Sequence, residues 1–256
     1  MGWVRVVLRG TILGLVTYGC LFILLILRLI ERPLCGLNRP VTPHITQFVC
    51  RSALRVMGIR LETRGTPMRN RGAVVANHGS WLDIFTLNAP QRIYFVSKSE
   101  VASWPGIGWL ARATGTVFIN RDRREAKAQT ELFEARLDAG HKLLFFPEGT
   151  SSDGRRVLPF KPTLFAAFFS DHLQPYLKIQ PVTVIYTAPP GREPRFYGWW
   201  GDMEFGPHLL QVLATRPQGK VEVVFHEPVA IHVFADRKAL AAYCEDKVRS
   251  AFPKAP

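Results

Sequence analysis

Cysteine is scarce: four residues in 256, Cys20, Cys35, Cys50 and Cys244, with no C-x-x-C pair among them. That spacing excludes a zinc ribbon and a thioredoxin-type motif. It leaves four reduced, mostly buried thiols in a reducing compartment as the expectation. Acidic residues are also few, 20 Asp and Glu against 33 Lys and Arg, for a net charge of +13. Such a balance favours an anionic partner: nucleic acid, an anionic membrane surface, or an acidic substrate. An RNP sequence and paired Cys/His spacings are both missing. With 47% hydrophobic residues, the chain reads as a membrane-surface protein with no nucleic-acid partner. Internal repeats and low-complexity tracts are absent. His44, His141, His172, His208, His226 and His232 are scattered and form no ligand cluster, so neither a metal nor a cofactor is expected.

Charge is missing altogether from residues 12–27, I-L-G-L-V-T-Y-G-C-L-F-I-L-L-I-L. Continued to Ile30, a helix here is about 28 Å long at ~1.5 Å per residue, close to a hydrocarbon core of about 30 Å. Arg5 and Arg9 precede it and Arg28, Glu31 and Arg32 follow. The sequence after the run, R-L-I-E-R-P-L-C-G, offers no small-residue cleavage site and no lipoprotein signal before Cys35. A retained anchor is therefore expected, with Arg28 free to snorkel to the interface. Arginines on both sides leave orientation open, and a transmembrane helix and a re-entrant one fit equally. A second segment, 44–57, mixes Ile45, Phe48, Val49, Leu54 and Val56 with Arg51 and Arg55. It reads as an amphipathic helix, either in the membrane interface or packed on a core. Residues 1–58 are thus read as N-terminal membrane-anchoring helices and 59–256 as a separate α/β domain.

Beyond Gly58, β-rich runs at 59–63, 73–76, 92–97, 116–120, 142–146, 179–186 and 221–226 alternate with helical stretches at 81–87, 107–113, 123–139, 163–171 and 236–251. This rhythm predicts an α/β fold: a mostly parallel mixed sheet flanked by helices. The stretch 188–202, rich in Pro, Arg and Trp, reads as a long loop. In such sheets functional loops leave the carboxyl ends of strands.

Polar clusters fall at those ends. N-H-G-S-W-L-D at 77–83 follows the apolar run 72–76. Five positions do not share a helix face, so His78 precedes a helix, Asp83 lies on its first turns, and the carboxylate can reach back to the imidazole. G-T-V-F-I-N-R at 115–121 ends on Arg121. F-F-P-E-G-T-S-S at 145–152 stops a strand at Pro147 and places Glu148, Gly149 and Thr150 in a loop. A weaker cluster is Q-P-V-T-V-I at 180–185. Taken singly, each has an ordinary reading: a capping histidine, a solvated arginine, a turn. Their order and common placement argue for a site.

The set resembles the lysophosphatidic acid acyltransferase family. The family signature is His-x4-Asp, then G-x-x-F-I-x-R, then F-P-E-G-T, then a Pro-containing apolar strand, and all four blocks occur here in order. The resemblance implies transfer of a fatty acyl group from a thioester to a lipid hydroxyl, with His78 as base and Asp83 as its orienting partner. It associates Arg121, Glu148, Gly149 and Thr150 with the acceptor, together with Asn77 in the first block. Lys98 lies near a family lysine implicated in phosphate binding. The implied partners are an acyl carrier protein or acyl-CoA donor, a lysolipid acceptor and an anionic membrane surface. The implied location is the inner membrane, with the catalytic domain facing the cytoplasm.

An alcohol is a weak nucleophile at neutral pH, and a positioned imidazole that takes its proton typically gives about 10²–10⁴-fold. No Ser or Cys sits in a nucleophile elbow, so transfer without an acyl-enzyme is expected. Backbone N–H groups of the glycine-bearing loops are candidates for the oxyanion donors. Arg121, Arg155, Arg156 and Lys161 suit an anionic head group. Many family members carry Arg directly after E-G-T, where this chain has Ser151. The stretch 148–161 resembles the lyso-ornithine lipid acyltransferase branch, and lysophosphatidate and lyso-ornithine lipid stay open as acceptors.

Overall fold

The computed structural model describes residues 2–120, 124 and 126–252. Helices α1 (Gly2–Cys35) and α2 (Thr42–Met57) lead into a body of eight strands and five further helices. The strands are β1 (Arg60–Arg64), β2 (Gly72–Ala76), β3 (Tyr94–Lys98), β4 (Val117–Ile119), β5 (Lys142–Phe145), β6 (Lys178–Thr187), β7 (Lys220–Phe225) and β8 (Val229–Ala230). The helices are α3 (Asp83–Asn88), α4 (Ile107–Thr114), α5 (Ala126–Asp138), α6 (Phe205–Ala214) and α7 (Arg237–Ala251). All eight strands join one sheet, ordered β1-β7-β6-β2-β5-β3-β4 with β8 beside β6. β6 and β7 are antiparallel, as are β6 and β8; the other pairs are parallel.

The apolar runs take the central positions. β2, with G-A-V-V-A buried at every residue, lies between β5 and β6 with both faces covered, as expected of a continuous apolar strand in a parallel sheet. One core layer holds Leu54, Met57, Val74, Leu82, Leu87, Val182 and Val223. The opposite layer holds Val75, Leu137, Leu143, Phe165, Phe168, Ile179 and Val248.

Two expectations change. Residues 163–171, read as a helix, fall in a 3₁₀ segment, Pro162–Phe169. Its fully buried Phe165 and Phe168 are three apart, which matches three residues per turn. The second concerns Arg28, which does not snorkel. It donates to Glu31 at 2.9 Å, and that carboxylate also accepts from the N–H groups of Val41 and Thr42 and from the Thr42 hydroxyl. Glu31 thereby satisfies the orphan donors at the start of α2 and closes the α1–α2 hairpin. α2 packs Cys50, Ala53, Leu54 and Met57 on the core and leaves Phe48 exposed.

Helix α1 is attached near both ends. Arg5 donates to Ala214 O and Arg9 to Leu213 O and Thr215 O, which neutralises the C-terminal carbonyls of α6. At the other end Glu31 holds α2. All four cysteines are free thiols; Cys50 and Cys244 are buried, Cys20 and Cys35 half-buried.

Candidate active site

Four adjacent parallel strands, β2, β5, β3 and β4, deliver their carboxyl ends to one edge of the sheet. From that edge emerge 77–83, 146–150, Lys98 and residues 119–120. Arg121 lies outside the described residues. Strand spacing of about 4.8 Å puts β3, with Lys98 at its end, roughly 10 Å from β2.

The chain leaves β2 through Asn77, whose amide bonds the β6 backbone at both ends: Nδ2 donates to Val184 O and Oδ1 accepts from Val184 N–H. Asn77 therefore extends the β2–β6 ladder by one side-chain rung and fixes the exit of His78. The imidazole stacks on Phe146, centroids 4.0 Å apart and planes within 13°. Its Nδ1 lies 2.7 Å from Asp83 Oδ2.

Asp83, in the first turn of α3, is completely buried. Oδ2 also accepts the N–H groups of Gly79 and Ser80, at 2.9 and 3.1 Å. Oδ1 accepts the Tyr186 hydroxyl at 2.7 Å. With donors on every side the carboxylate acts as acceptor, so Nδ1 of His78 carries the proton and Nε2 presents a lone pair. The tautomer is fixed by this network. The imidazole is 22% exposed and Asp83 0%, so the ring edge reaches the surface while its partner does not.

The loop after β5 covers this turn. Phe146, Pro147, Glu148 and Gly149 form a tight turn closed by Gly149 N–H to Phe146 O at 3.0 Å. Gly149 sits at φ +72°, a region glycine enters freely. Further on, Ser152 N–H donates to His78 O at 2.8 Å. A Cβ on Gly79 would come within 3.0 Å of Gly154 Cα, so the two loops touch through glycines. Trp199 N–H bonds Gly79 O, which brings the long loop 188–202 onto the same turn. Thr150 is exposed at the rim.

Glu148 is buried and makes no ion pair among the described residues. Oε1 accepts from Leu158 N–H at 3.2 Å, and Oε2 has no hydrogen-bond partner among the described residues. Burial pushes this carboxyl up to about 8, with the nearby N–H groups of Leu158 and His78 opposing the rise and the Asp83 carboxylate adding to it. Glu148 is thus a neutral acid near pH 7. The folded chain keeps a proton that the unfolded chain releases near 4.5. Its stabilising contribution is full below 4.5 and lost as pH rises to about 8. Thermal unfolding of Glu148→Gln should therefore match wild type at pH 5 and exceed it increasingly toward pH 8, by at most ~1.4 kcal/mol per pH unit. Parallel stability curves would mean that Glu148 is ionised in the folded protein.

Two features escape a reading of the motifs. Tyr186 is 103 residues from Asp83, and only the register of β6 beside β2 brings it there. Burial, then the Asp83 carboxylate, hold its phenol well above the ordinary tyrosine range, so it remains a donor. The second is buried Asp153, which gathers Arg156 and Arg195 at 3.6 and 3.5 Å beside exposed Arg155. Lys161 is exposed on the same loop. No group of His, Cys, Asp and Glu able to hold a metal ion occurs among the described residues.

Comparison with known proteins gives the family and the fold. The Acyltransferase family model matches residues 59–185. A lyso-ornithine lipid O-acyltransferase from Rhodobacter capsulatus is 62% identical over 96% of this chain and 89% of its own length. One from Brucella abortus is 38% identical over 83% of each. A 1-acyl-sn-glycerol-3-phosphate acyltransferase from Neisseria gonorrhoeae is 42% identical over 45% of this chain and 46% of its own. Among solved structures, the 1-acyl-sn-glycerophosphate acyltransferase of Thermotoga maritima shares the fold, with a TM-score of 0.67 at 21% identity, covering 100% of this chain and 98% of that one.

Proposed function

Because the chain belongs to the acyltransferase family that holds the lyso-ornithine lipid and 1-acyl-sn-glycerol-3-phosphate acyltransferases, we propose that it esterifies the hydroxyl of lyso-ornithine lipid with a fatty acyl group from a thioester. The observation that carries the mechanism is the 2.7 Å contact of His78 Nδ1 with a buried carboxylate. Nε2 takes the proton of the lipid hydroxyl as its oxygen attacks the thioester carbonyl. Asp83 steadies the imidazolium that forms. The tetrahedral oxyanion collapses, the C–S bond breaks, and the proton on Nε2 passes to the leaving thiolate. The N–H groups of Gly79 and Ser80 are consumed by Asp83, so the oxyanion donors come from elsewhere. The N–H groups of Thr150 and Ser151, on the loop whose Ser152 N–H bonds His78 O, are the candidates.

The acceptor reading rests on the loop after β5 and on the relatives. The relatives from Rhodobacter capsulatus and Brucella abortus, matched over 96% and 83% of this chain, carry the lyso-ornithine name. An ornithine head group offers a carboxylate, and the exposed guanidinium groups of Arg155, Arg156 and Arg195, the last two held by buried Asp153, suit it. Asn77, Lys98, Glu148, Gly149 and Thr150 are assigned to the acceptor side of the same edge, and Arg121 to the acceptor by its motif alone. The donor is an acyl carrier protein or coenzyme A thioester. The test is product identity: labelled acyl thioester is offered with equal lyso-ornithine lipid and 1-acylglycerol-3-phosphate. Labelled ornithine lipid in excess supports this acceptor; phosphatidate in excess overturns it.

Residues 1–58 serve as the membrane anchor of the 59–256 catalytic body, at the cytoplasmic face of the inner membrane. α1 is long and apolar enough to cross a bilayer. Its attachment to α6 and α2 near both ends supports a helix lying along the body instead. Its outer stripe, Val4, Leu8, Ile12, Leu15, Phe22 and Leu29, is exposed and faces lipid.

Tyr186 acts through Asp83 as a positioning residue. Tyr186→Phe should lower kcat roughly tenfold, the value of a hydrogen bond to a charged group. KM should stay near the wild-type value, because the phenol touches the carboxylate and not the lipid. An unmoved kcat would reduce Tyr186 to core packing.

A further inference from the structure

Helix α4 carries a surface that the reaction does not use. Trp109 is 72% exposed and Trp104, just ahead of the helix, 43%. Arg112 is exposed as well and lies three residues from Trp109, on the same face of the helix. A largely exposed tryptophan in water forfeits the burial of a large apolar ring, and Trp109, with half-exposed Trp104 and an arginine beside it, suits a partner.

The placement says which partner. Both ends of α4 are tied to the N-terminal hairpin. At its start, a Cβ on Gly106 would lie 3.4 Å from the Tyr18 hydroxyl of α1, and Tyr18 is itself on the exposed side of α1. At its end, Arg39, in the turn between α1 and α2, donates to Ala113 O at 2.9 Å. α4 therefore lies beside α1 and meets it at Tyr18, on the exposed side of that helix. Tryptophan is enriched where bilayer meets water, and arginine beside it suits anionic head groups.

We infer that α4 is a third membrane contact, seating Trp104 and Trp109 in the head-group layer of an anionic bilayer with Arg112 on the phosphates. This rests on the reading of α1 as lying along the membrane. It adds a consequence for the site. Trp104 is joined to Lys98 by the single 3₁₀ segment Ser99–Ser103, and β4 begins just past α4, so seating α4 brings the β3 and β4 ends of the active edge to the surface where a lysolipid resides.

The test uses the purified full chain on vesicles of phosphatidylglycerol and phosphatidylcholine, some with brominated acyl chains. Bromolipid should quench part of the tryptophan emission, and Trp109→Phe should remove much of the quenched fraction. Trp109→Asp should raise the apparent KM for vesicle-borne lysolipid by about fivefold, the equivalent of roughly one interfacial charge contact. Its rate on detergent-dispersed lysolipid should match wild type, which shows that the variant is folded. Quenching unchanged in Trp109→Phe, or full vesicle activity in Trp109→Asp, would overturn the inference. So would a dimer that Trp109→Asp converts to monomer, since the face would then belong to a second copy. Wild-type protein that does not bind vesicles at all would instead remove the reading of α1.

Discussion

His78→Ala should abolish most acyl transfer, about 10²–10⁴-fold in kcat, while the protein stays folded and membrane-bound. The size follows from the role: without Nε2 the lipid hydroxyl must attack while still protonated, or lose its proton to water. The survival of the fold follows from what the side chain touches. The imidazole edge reaches the surface, its stack on Phe146 is a contact at the rim, and the bond that holds the covering loop runs to His78 O, which alanine keeps. Circular dichroism, vesicle binding and initial rates on lyso-ornithine lipid check the three parts together. Wild-type rates in a folded variant would remove the base.

Asp83→Asn should cost roughly 10³–10⁴-fold in kcat with little loss of stability. An amide can be accommodated here. Its oxygen still accepts from Gly79 N–H, Ser80 N–H and His78 Nδ1–H, and its NH₂ turns to Tyr186, whose hydroxyl is both donor and acceptor. What asparagine cannot supply is the charge that stabilises the imidazolium. Asp83→Ala is the harsher change. It leaves two buried N–H groups without an acceptor, at ~1–3 kcal/mol each, and the Tyr186 phenol with only its 3.4 Å contact to Thr86 Oγ1 among the described residues. The pair of variants therefore separates electrostatics from scaffold. A slow but fully stable Asn variant beside a destabilised Ala variant is the expected pattern. Equal activity of Asn and wild type would leave Asp83 a purely structural anchor.

Much of the site was legible because the motif residues sit where strands end. The apolar run before His78, the proline that halts β5 and the interval of five between His78 and Asp83 are local signals, and each survives into three dimensions. The sheet itself followed from alternation of short apolar runs and helical stretches. What escaped was non-local. Tyr186 looks like any β-strand aromatic until register sets it against Asp83. Asn77, assigned to the acceptor side, spends its amide on the β6 backbone. Asp153 reads as part of a polar turn, and only folding gathers Arg156 from its own loop and Arg195 from the loop after β6. Helix α6 hid behind the Gly206-Pro207 pair, which marks a turn in sequence yet is tolerated in a first helical turn. In the N-terminal segment, composition showed a helix long enough to span a bilayer. Arg5 and Arg9, which look like flanking charges, instead cap α6.

The central claim is direct attack by the lipid hydroxyl, with His78 as the base. It is tested most directly by following labelled acyl thioester with purified protein, first without acceptor and then with lyso-ornithine lipid, and quenching at short times. The account predicts that no label attaches to the protein and that thioester is consumed only once acceptor is present, each acyl group lost appearing in product ester. Label held covalently by the protein before acceptor is added, and delivered to the lipid afterwards, would contradict it.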